Sequence, residues 1–185
     1  MPSVLSGERV TIRPLRPGDA PALDRILRDR RVTRTLPPRV RRESGREFVD
    51  RVLEEQRAGK GFAFAILPIG SSEVVGQVRL IDWSESERRA EVGFWLRRSS
   101  WGQGFGTDAL RLVCGYGFRV LRLHRIEATV IVGNDRSAGA LTRVGFRAEG
   151  RRRRGARVPR GWADEWTFGL LRGELRDAPS TGPWR

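Results

Sequence analysis

Hydrophobic and polar positions divide the chain into short periodic stretches. Residues 9–15 set Val10, Ile12 and Pro14 against Arg9, Thr11 and Arg13, the two-residue period of a strand. Pro17, Gly18 and Asp19 stop it, and Asp19 stands as N-cap of a helix to about Arg28, with Leu23, Ile26 and Leu27 at helical spacing. A proline-containing basic loop, residues 32–42, leads to a second helix over about 43–57, ended by Gly59 and Gly61. Two apolar runs, 62–67 and 73–81, flank a Pro68, Gly70, Ser71, Ser72 turn and predict an antiparallel hairpin, to which residues 89–96 add a third strand. A long helix over 104–120 buries Ala109, Leu110, Leu112, Val113, Tyr116 and Phe118. A strand at 125–132 and a helix at 135–144 follow, and Gly145 ends that helix at a positive φ. Strands at 146–152 and 162–171 close the chain around a basic loop, residues 151–160, before a frayed tail at 177–185. This is a mixed α/β pattern: one domain over residues 1–176, with about seven strands in a twisted, mostly antiparallel sheet and about four helices.

Composition narrows the chemistry. Among 185 residues, 36 Lys and Arg face 22 Asp and Glu, a net charge of +14, and Lys60 is the single lysine. So much arginine suits a polyanionic partner, although solvated surface arginine gives the same composition. The single Cys114 and single His124 exclude an internal disulfide framework and leave no Cys/His metal cage, so no metal is expected. No apolar run approaches a membrane span and the first residues lack a signal-peptide pattern, which places the chain in the cytoplasm, away from membranes.

The stretch Trp101, Gly102, Gln103, Gly104, Phe105, Gly106, Thr107 lies between a strand and the long helix. Its glycines let the backbone approach a ligand with N–H groups turned inward, and the helix start adds its positive end. That is a pyrophosphate cradle, or else a tight strand-to-helix turn. Gly104, Gly106 and Ala109, with Glu127 beyond them, also fit a dinucleotide fingerprint. Against that stand the residues 97–101 between strand and glycines, and the presence of a single βαβ unit.

These motifs, followed by Asn134, Ser137 and Gly145-Phe146, resemble the acetyl-coenzyme A core of the GNAT acyltransferase superfamily. Trp-Gly-x-Gly-x-Gly-Thr with Asn-x-x-Ser and a trailing Gly-Phe is similar to the branch that acetylates N-termini of ribosomal proteins, the RimJ/RimL-like enzymes. Trp101 and Leu141 replace residues common elsewhere in the superfamily, as they do in that branch. The resemblance implies a GNAT fold and acetyl-CoA as cosubstrate. It implies that the backbone at Phe94, Trp95 and Leu96 holds the pantetheine and carbonyl, that Gln103 to Thr107 holds the pyrophosphate, and that Trp101 and Gly102 belong to the same cofactor-binding stretch. It also implies that Asn134 bonds the pantetheine arm and that Ser137 gives a proton to the leaving thiolate. As residues, Ser137 and Asn134 equally suit helix caps. Glu91 is a candidate base, directly or through water, or a surface carboxylate paired with Arg88 or Arg89.

Three further residue sets have plainer readings. His124 reads as a helix-end cap and Cys114 as a buried small hydrophobe. Arg151, Arg152, Arg153 and Arg154, with Arg157 and Arg160, read as a solvated loop or a grip on RNA or the ribosome. The expectation is direct acetyl transfer from acetyl-CoA to a primary amine. A protein or peptide N-terminus is favoured because a basic surface repels polyamines. A small-molecule amine acceptor, a basic RNA- or ribosome-binding module without turnover, and a homodimer stay open.

Overall fold

A computed structural model describes residues 4–176. Its strands are β1 (Leu5–Ser6), β2 (Val10–Pro14), β3 (Gly61–Pro68), β4 (Gly76–Ser84), β5 (Arg89–Leu96), β6 (Arg125–Ile131), β7 (Arg147–Val158) and β8 (Gly161–Leu171). Its helices are α1 (Ala20–Leu27), α2 (Arg30–Thr33), α3 (Pro38–Arg42), α4 (Gly45–Arg57), α5 (Phe105–Arg119) and α6 (Asp135–Val144). The strands form one open sheet in the order β1-β2-β3-β4-β5-β6-β8-β7, antiparallel except for the β5–β6 pair. The expected mixed, mostly antiparallel α/β sheet is therefore present, and the described residues hold eight strands and six α-helices where about seven and about four were expected. Two corrections come from short elements: β1 has two residues, and α2 and α3 occupy the stretch expected as a basic loop.

Alternation sorts the core into two layers. On one face Val10, Ile12, Phe64, Val78, Val92 and Phe168 meet Leu110, Val113 and Cys114 of α5 and Leu141 and Val144 of α6. On the other face Ala63, Ala65, Leu67 and Trp95 meet Leu23 and Ile26 of α1 and Phe48 and Val52 of α4. Ser44 caps α4 through a box with Glu47, and Gly145, at φ 117°, ends α6 while its N–H reaches the Leu141 carbonyl at 3.2 Å. The first turn of α5 is tied to β2 by Asp108. Its carboxylate, 4% exposed, accepts the backbone N–H groups of Arg9 at 2.8 Å and Val10 at 2.9 Å.

The basic loop expected over residues 151–160 is instead mostly strand: β7 runs to Val158, and only Pro159 and Arg160 separate it from β8. Arg151 pairs with Asp164 at 2.6 Å and Arg152 pairs with Glu165, so half of the four-arginine run is already neutralised within the hairpin. The expected tail at 177–185 lies outside the described residues. Among the described residues no helix is long and apolar enough to cross a membrane.

Candidate active site

The site is built where β5 and β6 part. They pair as Arg89 with Arg125, Ala90 with Ile126 and Glu91 with Glu127, and no further. Beyond Glu91, β5 is bonded to β4 alone, and beyond Glu127, β6 is bonded to β8 alone. Alternate N–H and C=O groups of residues 92–96 thus face the gap. The side chains there are spoken for. Phe94 and Leu96 point at the start of α5, and Trp95 stacks edge-on against Phe48 of α4, with ring centroids 5.4 Å apart. Of the three residues expected to hold pantetheine, the backbone is the part free to do it.

The glycine loop sits at the mouth of this gap. Trp101 anchors it, its indole N–H donating to the Leu96 carbonyl at 3.0 Å, and Gln103 donates to the Ser99 carbonyl at 2.7 Å. Gly102 at φ 76° and Gly104 at φ 79° hold the left-handed turn that leads into α5. A Cβ at Gly106 would stand 3.0 Å from the Phe94 ring, so the helix start packs as closely on β5 as a glycine allows. Among the described residues, no backbone carbonyl accepts from any N–H of residues 102–107. Unspent donors in succession at a helix N-terminus are what an anion requires. Two cations missed from the sequence flank them. The Arg9 side chain lies against Gly104, and the Arg136 guanidinium stands 4.8 Å over the Trp101 ring. Only the fold brings Arg9 and Arg136 to the loop, so spacing carried no signal for them.

Asn134 is the N-cap residue of α6, but its side chain makes no cap bond, and Ser137 follows as the third helical residue. The N–H of Ser137 donates to the Asn134 carbonyl at 3.1 Å, while neither side chain has a hydrogen-bond partner among the described residues. The capping role is thus not what these side chains do.

Glu91 is the last residue of β5 paired with β6, on the face that carries Trp95. Neither candidate arginine takes it. Arg88 donates to the Arg122 carbonyl at 2.9 Å, and Arg89 pairs with Glu87 and Glu127. Instead the Thr129 hydroxyl donates to Glu91 Oε1 at 2.8 Å. Thr129 was missed, although it lies two residues past Glu127 and so on the same face. Burial pushes the Glu91 carboxyl above the usual carboxylate range. The Thr129 bond opposes this, as does Arg152, while Asp82 and Glu165 add to it with like charge. Two carboxylates, Asp82 and Glu165, and one cation, Arg152, thus act on Glu91, a local excess of acid on a protein of net charge +14.

The model of the acetyltransferase (GNAT) domain matches residues 9–147. The chain belongs to the GNAT acetyltransferase family. One relative, the uncharacterized N-acetyltransferase p20 of Bacillus licheniformis, is 30% identical over 169 residues, 90% of this chain and 95% of p20. The solved structure of Mycobacterium smegmatis RimJ in complex with CoA-disulfide is 31% identical, with a TM-score of 0.85 over 96% of this chain and 91% of that one. A spermidine N-acetyltransferase of Vibrio cholerae in complex with CoA and spermine shares the fold, with a TM-score of 0.80, 21% identity and coverage of 89% and 96%. The expected GNAT fold, acyltransferase class and RimJ-like resemblance hold.

The remaining candidates of this GNAT chain take no part in the gap. Cys114 is fully buried in α5, and burial pushes its thiol far above the ordinary cysteine value, which leaves it without nucleophilic thiolate. His124 is exposed five residues past α5 and engages through its backbone N–H, which donates to the Arg88 carbonyl at 2.7 Å, so it caps no helix.

Proposed function

We propose that this enzyme transfers acetyl directly from acetyl-CoA to the N-terminal amine of a protein or peptide, with Glu91 as base and Ser137 as acid. The observation that carries the reading is the gap between β5 and β6, with Glu91 at its apex and the unspent N–H groups of residues 102–107 at its mouth. Those N–H groups, with Arg9 and Arg136, hold the pyrophosphate. The edge of residues 92–96 presents N–H groups to the pantetheine and to the thioester oxygen as negative charge develops on it, and the Asn134 carboxamide bonds the arm. Glu91 takes a proton from the acceptor ammonium, directly or through water, so that a lone pair is available to attack. Attack leaves a cationic nitrogen in the tetrahedral adduct; as the C–S bond breaks, Ser137 gives its hydroxyl proton to the sulfur and is reprotonated by that nitrogen, which leaves the amide and the CoA thiol.

The acidic neighbourhood of Glu91 answers the charge argument made from composition: locally this surface attracts a cationic amine. It favours an ammonium of either class, a peptide N-terminus or a polyamine, and the motif resemblance to the RimJ/RimL-like branch, which acetylates N-termini of ribosomal proteins, supports the peptide. Thiol release measured with acetyl-CoA over a panel of unblocked peptides, N-acetylated controls and spermidine tests this. Turnover of spermidine with none on peptides overturns the peptide reading.

The same assay carries a pH prediction. A protonated Glu91 accepts nothing, so kcat/KM rises with pH through the pKa of Glu91, which burial sets above the usual carboxylate range. Glu91→Gln should lower kcat by about 10² or more and remove that acidic limb. Its stability should stay level or rise at neutral pH: a carboxyl whose folded pKa is raised opposes folding once pH exceeds its unfolded value, and the amide does not ionise. An unaltered limb in Glu91→Gln removes Glu91 as base.

A further inference from the structure

The helical arm of α2 and α3 and the far end of the β7–β8 hairpin bring three arginines together. Nη1 of Arg41, on α3, is shielded from solvent and has no hydrogen-bond partner among the described residues. Arg42 beside it and Arg157 near the end of β7 add like charge, so nothing in the cluster compensates the guanidinium. Carboxylates are available nearby, since Arg39 on the same helix reaches Glu43 at 3.3 Å and Arg51 holds Glu43 at 2.6 Å, but Arg41 does not share them. Arg157 lies 5.3 Å over the ring of Trp162, a residue 59% exposed, and its guanidinium has no carboxylate partner among the described residues. Arg41 as a whole is half-buried, but a shielded N–H of a cation without an acceptor is costly, and it leaves a donor ready for an anion.

The placement supplies the purpose. The hairpin that carries Arg157 also carries Arg152 and Glu165, the charges felt by Glu91, so anion site and reacting amine are served by one hairpin. Resting on the reading of a peptide acceptor, we propose that Arg41, Arg42 and Arg157 bind an acidic side chain of the acceptor, downstream of the amine that Glu91 deprotonates. Specificity then has two parts of opposite sign: an acidic neighbourhood receives the ammonium, and the arginine cluster receives a carboxylate further along the peptide.

The test uses hexapeptide amides with a free N-terminus, each carrying one aspartate at positions 2 to 6 in turn, against the same peptides with asparagine. The aspartate peptide is expected to be preferred about 10- to 100-fold in kcat/KM at one position, chiefly through KM, with the preference shrinking as salt is raised. In Arg41→Gln and in Arg157→Gln the ratio should fall to within about twofold; Arg157 is exposed, so its variant serves should Arg41→Gln fold poorly. Equal ratios in wild type and both variants overturn the proposal. Calorimetric titration of the N-acetylated aspartate and asparagine peptides reads the same preference without turnover. An enzyme that acetylates no peptide but binds the aspartate form more tightly, through Arg41, loses the acceptor reading and keeps the anion site; equal binding of the two forms removes the site as well.

Discussion

Ser137→Ala is expected to lower kcat by about 10² to 10⁴ while the Michaelis constant for acetyl-CoA moves only a few-fold. A thiolate has a reference pKa near 8.5, so its departure at neutral pH is helped by a proton delivered as the bond breaks. The hydroxyl of Ser137 makes no hydrogen bond within the described residues, which leaves it free for that donation. For the same reason its removal should cost little stability, where loss of a working helix cap costs about 1 kcal/mol. Turnover and melting midpoint measured on one preparation separate the outcomes: normal turnover in a destabilised protein would return Ser137 to the role of cap.

Gly104→Val should remove most of the stabilisation by acetyl-CoA, which for a ligand at about 100 times its dissociation constant is roughly 2.7 kcal/mol. The reason lies in the backbone more than in lost space for phosphate. Gly104 holds φ 79°, which a β-branched residue adopts only with strain of about 1 to 3 kcal/mol, and its Cβ would stand 2.9 Å from Cδ of Arg9. Relief of that strain turns the N–H groups of the loop out of line and displaces Arg9. The free protein should therefore melt lower, by about 2 to 4 °C per kcal/mol for a chain of this size, and gain almost nothing from the ligand. A full ligand-induced shift in Gly104→Val would refute the cradle.

Periodicity carried most of the fold. Residues 89–96 and 135–144 were legible to the residue because a half-buried strand and an amphipathic helix each write their own period. Leu5–Ser6 was not, since two residues have no period and β1 exists only through its pairing with Thr11 and Ile12. Residues 153–158 were misjudged because that part of the hairpin is mostly exposed, so arginines replace alternation and only the pairing of Ala156 with Ala163, Arg157 with Trp162 and Val158 with Gly161 shows it to be strand. At the site, contiguous features were readable: the glycine run, Asn134 with Ser137, and Glu91 on its strand. What assembles across the chain was not. Thr129 meets Glu91 over 38 positions, Arg9 meets Gly104 over the whole first half of the molecule, and the charge of Arg157 reaches Arg41 through the tertiary fold alone.

The parting of β5 from β6 also sets how the molecule can come apart. Three residue pairs join β1–β5 to β6–β8, against seven pairs between β6 and β8. Beyond those pairs and the polar links Thr129–Glu91 and Arg89–Glu127, what carries across that seam is apolar packing on one face, where Val92, Leu110, Ile126 and Phe168 share a core beneath α5. Helix α5 is thus a spine along which the halves can flex, with the opposite face as the side that opens. Amides lining the seam are the ones to exchange earliest with solvent, and a cosubstrate laid between the strands would serve as a splint, lending both halves a common melting transition.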